Sequence, residues 1–193
     1  MASMRERLFE ILYEKSFIYR ENPPFTLVSG RRSSYYFDCK ATTLDPEGVF
    51  LIGEVMLDAL QPLIAGSGIQ AVGGLTLGAD PISISTSIAA SRRGFRLSPL
   101  IVRKEPKEHG TQKWIEGGLK DVQSAVVIDD VITTGGSTIT AIERMRESGL
   151  TVVQAAVIID REEGGRERIE NAAVPVISLF KRSDFDSRRI SRT

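Results

Sequence analysis

Residues 126–138, which read VVIDDVITTGGST, constrain the fold of this chain more than any other segment. Apolar runs rich in β-branched residues are typical of fully buried parallel strands. The run ends in two adjacent acids, Asp129 and Asp130, and a loop of small polar residues then leads into a predicted helix over 138–147. Because ligands of open parallel sheets bind at the carboxyl ends of the strands, the segment also predicts a binding site.

The loop over 133–137 is suited to a phosphate group. Its small residues leave backbone N–H groups accessible, and the start of the following helix adds partial positive charge worth about 0.3–1 kcal/mol at an exposed site. The two acids cannot hold that phosphate, but they can accept hydrogen bonds from sugar hydroxyls beside it. No Gly-Lys dipeptide occurs, so the P-loop pattern of NTPases is absent. A loose dinucleotide fingerprint at 66–71 precedes a strand and is interpreted as a turn.

Strands and helices are predicted to alternate through most of the chain. Predicted strands lie at 71–72, 100–102, 124–128, 151–159 and 174–179, and predicted helices at 46–63, 81–90 and 138–147. This alternation predicts an α/β fold with a parallel sheet covered by helices. The first forty residues, with a helix near the start and strands at 25–28 and 34–37, do not follow it and predict a small cap. No linker divides residues 1–193, so a single domain is expected.

Composition excludes several classes of function. The formal net charge is zero, which argues against nonspecific nucleic-acid binding. A single cysteine, Cys39, rules out a disulfide framework within the chain and fits a reducing compartment. Neither a signal peptide nor an apolar run of about 18 residues is apparent, so we expect a cytoplasmic protein without a membrane partner.

A second motif is the basic stretch RKEPKEHG at 103–110. It combines three cations and the only histidine with Pro and Gly, and no periodicity follows it up to residue 117. A loop of about a dozen residues suggests a lid or a binding function. Uncompensated cations beside a predicted phosphate site indicate a polyanionic ligand.

The segment 126–138 resembles the phosphoribosyl pyrophosphate signature of type I phosphoribosyltransferases. The resemblance implies their fold, a central parallel sheet flanked by helices with a small N-terminal hood. It also implies that Asp129 and Asp130 bind the ribose hydroxyls, while the loop holds the 5-phosphate. The remaining residues implied to contact phosphoribosyl pyrophosphate here are Val131, Ile132, Thr133, Thr134, Gly135, Gly136 and Ser137.

The basic stretch, followed by IEG at 115–117, resembles the catalytic loop of the orotate-specific branch. The resemblance implies Mg²⁺ as cofactor and a homodimer in which each loop closes over the pyrophosphate in the neighbour's active site. Positive charge would stabilise the departing pyrophosphate, and closure would exclude water. The catalytic residues implied are Lys104, Lys107, His109 and Asp130, and Arg103, Lys104, Lys107 and His109 would bind pyrophosphate.

Residues 25–38, which read FTLVSGRRSSYYFD, resemble the amino-terminal motif of the same branch. The resemblance places Tyr36 and Phe37 against the flat pyrimidine. Taken alone, Tyr35 and Phe37 are better interpreted as core residues of a strand. Arg161 ends the strand after the signature helix, where it can grip the orotate carboxylate through two hydrogen bonds. Thr133 can add a hydroxyl contact.

Two positions depart from the family pattern. Many members have lysine where this chain has Val28, and many have a Tyr-Lys pair in the loop that here reads GGLTLGADP at 73–81. Backbone N–H groups of this loop could hold the pyrophosphate instead. The predicted reaction joins orotate and phosphoribosyl pyrophosphate to give orotidine 5'-monophosphate and pyrophosphate. The alternatives are a purine or uracil phosphoribosyltransferase and a regulatory protein that senses phosphoribosyl pyrophosphate.

Overall fold

The computed structural model describes residues 2–26, 32–106 and 114–190, in which strands and helices alternate. The strands are β1 (Phe17–Tyr19), β2 (Phe25–Thr26), β3 (Arg32–Ser33), β4 (Tyr35–Phe37), β5 (Ala71–Leu75), β6 (Ser98–Val102), β7 (Ile115–Glu116), β8 (Ser124–Ile132), β9 (Thr151–Asp160) and β10 (Val176–Lys181). The helices are α1 (Met4–Lys15), α2 (Lys40–Thr43), α3 (Pro46–Ser67), α4 (Asp80–Arg92), α5 (Gly136–Glu147), α6 (Gly165–Glu170) and α7 (Arg182–Ile190).

A six-stranded sheet in the order β10-β9-β8-β5-β6-β7 forms the centre of the molecule. Five strands are parallel, as the alternation predicts, and β7 joins β6 antiparallel at one edge. The short β7 was not predicted, because two residues carry no detectable periodicity. The strand order brings the carboxyl ends of β5, β8 and β9 side by side, which is where the two acids and Arg161 were predicted to lie.

Helices cover both faces of the sheet. One buried cluster joins the sheet to α1, α3 and α4, and a second joins it to α5 and α6. Part of α3 (Pro46–Gly66) is long and apolar enough to cross a membrane by length and composition, but half of that segment is buried inside the fold. The core helix of a soluble protein passes the same test, so this is weak evidence for a span.

The amino-terminal cap is built differently from the prediction. Strands were predicted only at 25–28 and 34–37. In the structure β4 pairs antiparallel with β1 and β2 pairs with β3, and neither β1 nor β3 was predicted. The physical reason is aromatic packing. Phe17 of β1 and Phe37 of β4 have ring centroids 5.3 Å apart, and both contact the fully buried Phe185 of α7.

β8 is longer than its apolar run. The prediction ended the strand at residue 128, but the ladder with β9 continues to the pair Ile132 and Asp160. Because β9 supplies backbone hydrogen bonds along this length, the two acids lie within the strand. Successive side chains of a strand point to opposite faces of the sheet, so the two acids differ in burial. Asp129 is buried and Asp130 is half-buried.

Candidate functional site

Asp129 links the end of β8 to the start of α5. Its carboxylate accepts hydrogen bonds of 2.7 Å from both the Ser137 and the Thr138 hydroxyls. Its other oxygen accepts the backbone N–H of Asp130 at 3.0 Å. The two hydroxyl bonds join the end of β8 to the first turn of α5 across the loop. Thr138 belongs to this arrangement, although the sequence analysis assigned it no role.

Burial and charge perturb the same carboxyl group. Loss of solvent is the main cause that raises the pKa of Asp129 to about 7, and the adjacent Asp130 adds to the increase. The hydrogen bonds from Ser137 and Thr138 oppose this shift. The pKa of the Asp129 carboxyl group therefore lies near neutral pH. Perturbed pKa values of this kind are common among residues of functional sites.

Asp130 faces the predicted 73–81 loop, whose two ends the structure assigns to β5 (up to Leu75) and to α4 (from Asp80). Its Oδ1 accepts the Val131 backbone N–H at 2.9 Å, and a Cβ atom added to Gly78 would lie only 3.0 Å from that oxygen. The absence of a side chain at Gly78 thus allows the loop to approach the acid. Within the loop, the Thr76 hydroxyl donates to Asp80 at 2.6 Å. Sequence reasoning missed Asp80, because its partner is set by the local turn.

The predicted phosphate loop lies between Ile132, the last residue of β8, and Gly136, the first of α5. Gly135 has a φ of +74°, a left-handed conformation that favours glycine. Gly165 of α6 packs directly beneath the loop, since a Cβ atom there would lie 2.6 Å from the Thr133 carbonyl oxygen and 2.9 Å from the Gly135 nitrogen. The loop is thus supported from below by backbone contact.

The opening amides of α5 make this loop a suitable anion site. The first N–H groups of a helix have no partner within the helix, and the helix dipole favours negative charge there. α5 begins at Gly136, two residues before the predicted start at 138, so Gly136 and Ser137 belong to its first turn and Thr134 to the loop. The Arg168 guanidinium donates to the Thr134 carbonyl oxygen at 3.3 Å, which steadies the loop from its outer side.

Arg161 lies beside this loop. Its backbone N–H donates to the carbonyl oxygen of Ile132 at 3.0 Å, and its residue is only 4% exposed. Nη2 lies 2.7 Å from a Glu163 carboxylate oxygen and donates to the Ser33 hydroxyl at 3.3 Å. The fold therefore brings a buried guanidinium, the phosphate loop and β3 of the cap together.

The predicted basic loop is described only at its two ends. Arg103 donates to Glu116 at 3.0 Å, and its backbone N–H bonds the Trp114 carbonyl oxygen at 2.8 Å. Arg144 of α5 lies 4.3 Å from the centre of the Trp114 ring and also donates to the Arg103 carbonyl. Lys104 is exposed. These contacts anchor the ends of the loop to the helix that carries the phosphate site, whereas Lys107 and His109 lie outside the described residues.

The aromatic positions of the cap differ in burial. Tyr36 is 42% exposed and its ring centroid lies 5.6 Å from that of Phe25, so its ring is available to a flat ligand. The Phe37 ring is buried, which favours the core alternative for its side chain.

Burial raises the pKa of Cys39 well above its usual value, with Asp130 as the next largest cause. The segment that follows β4 therefore lies close to the two acids.

The described residues contain no group of three or more His, Cys, Asp or Glu side chains able to hold a metal ion. Asp129 and Asp130 offer carboxylate oxygens at the loop, and Asp129 is already engaged by three donors. Magnesium prefers six oxygen ligands and retains several waters. The arrangement fits an ion that brings most of its ligands with the substrate.

Comparisons with known proteins agree with this geometry. Residues 90–183 match the family described as the phosphoribosyl transferase domain. The chain is 45% identical to an orotate phosphoribosyltransferase of Leptospira biflexa over 95% of its own length and 98% of that protein. It is 43% identical to one of Aquifex aeolicus over 94% and 97% of the two chains.

Solved structures give the same result. The orotate phosphoribosyltransferase of Mycobacterium tuberculosis in complex with 5-phospho-alpha-D-ribosyl 1-diphosphate superposes with a TM-score of 0.75 at 32% identity, covering 95% of this chain and 99% of that one. Adenine phosphoribosyltransferase of Leishmania donovani, at 16% identity and a TM-score of 0.62, shares the fold, with 93% of this chain and 80% of that chain covered. The fold is therefore that of type I phosphoribosyltransferases, as the sequence analysis expected.

A methyl group at Gly165 should disturb the phosphate loop without unfolding the protein. In Gly165→Ala, the new Cβ would overlap the Thr133 carbonyl and the Ile132 side chain, so the loop must shift. We expect the dissociation constant for phosphoribosyl pyrophosphate, measured by calorimetry, to rise about tenfold or more, because small misplacements of a binding group are costly. Gly66→Ala is the matched control, since nothing lies within 4 Å of its added Cβ. Equal affinities in the two variants would contradict the supporting role of Gly165.

The raised pKa of Asp129 predicts a pH-dependent stability. Its folded-state pKa of about 7 exceeds the usual value of 3.8, so the folded chain binds this proton more tightly than the unfolded chain. This contribution to stability is present below pH 4 and is lost as pH rises to 7. Relative to Asp129→Asn, the wild type should lose about 2 kcal/mol of unfolding free energy between pH 5 and pH 8. Urea denaturation of both proteins measures it, and a pH-independent difference would disprove the shift.

Proposed function

The chain belongs to the orotate phosphoribosyltransferase family, and we propose that it transfers ribose 5-phosphate from 5-phosphoribosyl 1-pyrophosphate to orotate in pyrimidine biosynthesis. The products are orotidine 5'-monophosphate and pyrophosphate. The observation that carries the choice of base is the buried Arg161 guanidinium, whose own backbone is hydrogen bonded to the end of β8 beside the phosphate loop. A carboxylate-bearing base can pair with this cation, whereas adenine or uracil cannot.

We propose that three groups of residues bind three parts of the substrate. The loop from Thr133 to Ser137 would hold the 5-phosphate through backbone N–H groups. Asp129 and Asp130 would accept hydrogen bonds from the ribose hydroxyls. Arg161, with Tyr36, the Thr133 hydroxyl and the backbone of Phe37, would hold the base. The anomeric carbon would then lie between the acids and the arginine, where displacement of pyrophosphate by the base nitrogen requires both reactants to be held in position.

Charge stabilisation on the departing pyrophosphate is the remaining requirement. Arg103, Lys104, Lys107 and His109 would supply it from the basic loop, and the N–H groups of the 73–81 loop would add to it near Asp130. The cofactor we propose is Mg²⁺. When bound, it neutralises negative charge on the pyrophosphate oxygens. Asp130 is the acid better placed to contact the ion or its waters, since Asp129 is already engaged by hydroxyl and amide donors.

The domain assignment and location follow the same proposal. Residues 1–193 would form one phosphoribosyltransferase domain, in which about the first forty contribute a cap over the base. The bond between Ser33 of the cap and Arg161 supports this arrangement. We propose a cytoplasmic enzyme with neither nucleic-acid nor membrane partners, in keeping with the neutral net charge and the half-buried α3.

Substrate choice tests the function. Purified protein with phosphoribosyl pyrophosphate and Mg²⁺ should consume orotate, measured as loss of orotate absorbance, and should react far more slowly with uracil. Arg161→Ala should raise the Michaelis constant for orotate about 30-fold or more, because it removes a buried charged partner. The constant for phosphoribosyl pyrophosphate should change little.

Arg96→Ala is the control for loss of one positive charge, since Arg96 is exposed and precedes β6 at the opposite end of the strands. Efficient use of uracil or adenine would favour the rival phosphoribosyltransferase. Absence of turnover with every base, while phosphoribosyl pyrophosphate still binds, would favour the regulatory protein.

We further propose that the enzyme is a homodimer that shares its active sites. An exposed apolar face supports this proposal. Leu44, Phe50, Ile84 and Ile88 are each between 44% and 72% exposed, and a groove of about 590 Å³ runs among them. Clustered exposed apolar side chains mark interaction surfaces. α4, which carries two of them, begins at Asp80 within the 73–81 loop, so a second copy docked here would lie next to the active site.

Two inactive variants test the shared site. Lys107→Ala removes the donated cation, and Asp130→Asn damages the receiving site, so each homodimer should be nearly inactive. After random subunit exchange about half of the dimers are hybrids, and each hybrid has one intact composite site. Activity should therefore recover to about a quarter of the wild-type value.

Verified hybrid dimers with only background activity would show that Lys107 acts within its own chain. Ile88→Glu provides the matched control, because a charge on the apolar face should prevent association. Light scattering should then report monomers, and mixtures carrying this substitution should not recover activity. Recovery with monomeric protein would contradict the proposed interface.

A further inference from the structure

Arg161 already has a carboxylate partner within its own chain. Nη2 lies 2.7 Å from Oε1 of Glu163, and both side chains are largely buried, with 5% and 16% exposed. The same Nη2 donates to the Ser33 hydroxyl at 3.3 Å. The Nε donor is buried and has no hydrogen-bond partner among the described residues. The guanidinium is thus partly occupied and partly unsatisfied.

The geometry of a guanidinium makes this occupation significant. A carboxylate grips it with two hydrogen bonds either side-on, through Nε and Nη2, or end-on, through Nη1 and Nη2. Both modes need Nη2, which already lies 2.7 Å from Glu163 and donates to Ser33 at 3.3 Å. Even if the weaker Ser33 bond yields, the buried Glu163 charge would still repel an incoming carboxylate.

The fold also provides a place for a displaced Glu163 side chain. A cavity of about 310 Å³ adjoins it and is lined by residues that include Arg32, Ser33 and Arg182. The preceding Glu162 is fixed, since its carboxylate accepts the Ser183 backbone N–H at 3.0 Å. Rotation of the Glu163 side chain, with the backbone unchanged, would move its carboxylate from Arg161 to the arginines that line this cavity.

We propose that Glu163 is an internal competitor of the substrate for Arg161. Its carboxylate holds Nη2 in the ligand-free enzyme and turns toward Arg32 and Arg182 when a carboxylate-bearing base arrives. This proposal rests on the proposed function, because the competing ligand is orotate. Glu163 therefore weakens orotate binding, while a neutral base gains nothing by displacing it.

Glu163→Gln tests the competition, because glutamine keeps the shape of the side chain and removes its charge. The Michaelis constant for orotate should fall about three- to tenfold, as expected when one of two charges competing for a partner is removed. The constant for phosphoribosyl pyrophosphate should stay unchanged. The melting temperature should fall, because the buried Arg161 loses its counter-charge within the chain. Glu167→Gln is the matched control, since Glu167 is exposed on the neighbouring α6, and should leave every constant unchanged.

The outcomes separate the two proposals. A higher Michaelis constant for orotate in Glu163→Gln would identify Glu163 as a support for Arg161 and overturn the competition. An unchanged constant, or an equal fall in the Glu167→Gln control, would overturn it as well. Wild-type protein measured in parallel must consume orotate. If it does not, the proposed function fails, whereas active wild type with an unaltered variant rejects only the role of Glu163.

Discussion

The contact between the end of β8 and the start of α5 is the constraint on which the site depends. Asp129 accepts hydrogen bonds of 2.7 Å from the hydroxyls of Ser137 and Thr138, so the strand and the helix are joined across the loop that separates them. Because the carboxyl group is buried, these bonds are stronger than they would be in water. The same burial raises the pKa of Asp129 to about 7. Burial of this carboxyl group thus strengthens the junction and also shifts its protonation equilibrium.

The other parts of the site are arranged around this junction by close backbone approach. Gly78 lets the 73–81 loop reach Asp130, and Gly165 lets α6 support the phosphate loop. Arg161 is connected through its own backbone N–H to the carbonyl oxygen of Ile132. Each of the three segments reaches the junction through the order of β5, β8 and β9 in the sheet. A change in that order would scatter the acids, the loop and the guanidinium.

The sequence predicted the central fold well and the cap less well. Buried parallel strands such as β8 and β9 stand out as apolar runs, because both faces of the sheet are covered. In the cap, the strands have two or three residues each, too few for a period to be recognised. Their pairing was decided by Phe17, Phe37 and Phe185, which are distant in the chain and meet only in the folded protein.

For the site, the sequence by itself determined the chemistry and its local order: two acids, a small-residue loop and a helix start, with Arg161 after the next strand. These features follow from residue type and spacing within one strand-loop-helix unit. Only the tertiary structure decided that Ser33 and Glu163 share Nη2 of Arg161 and that Gly165 lies beneath Thr133. The reason is physical, since contacts between separate segments depend on strand order and burial, which no local pattern specifies.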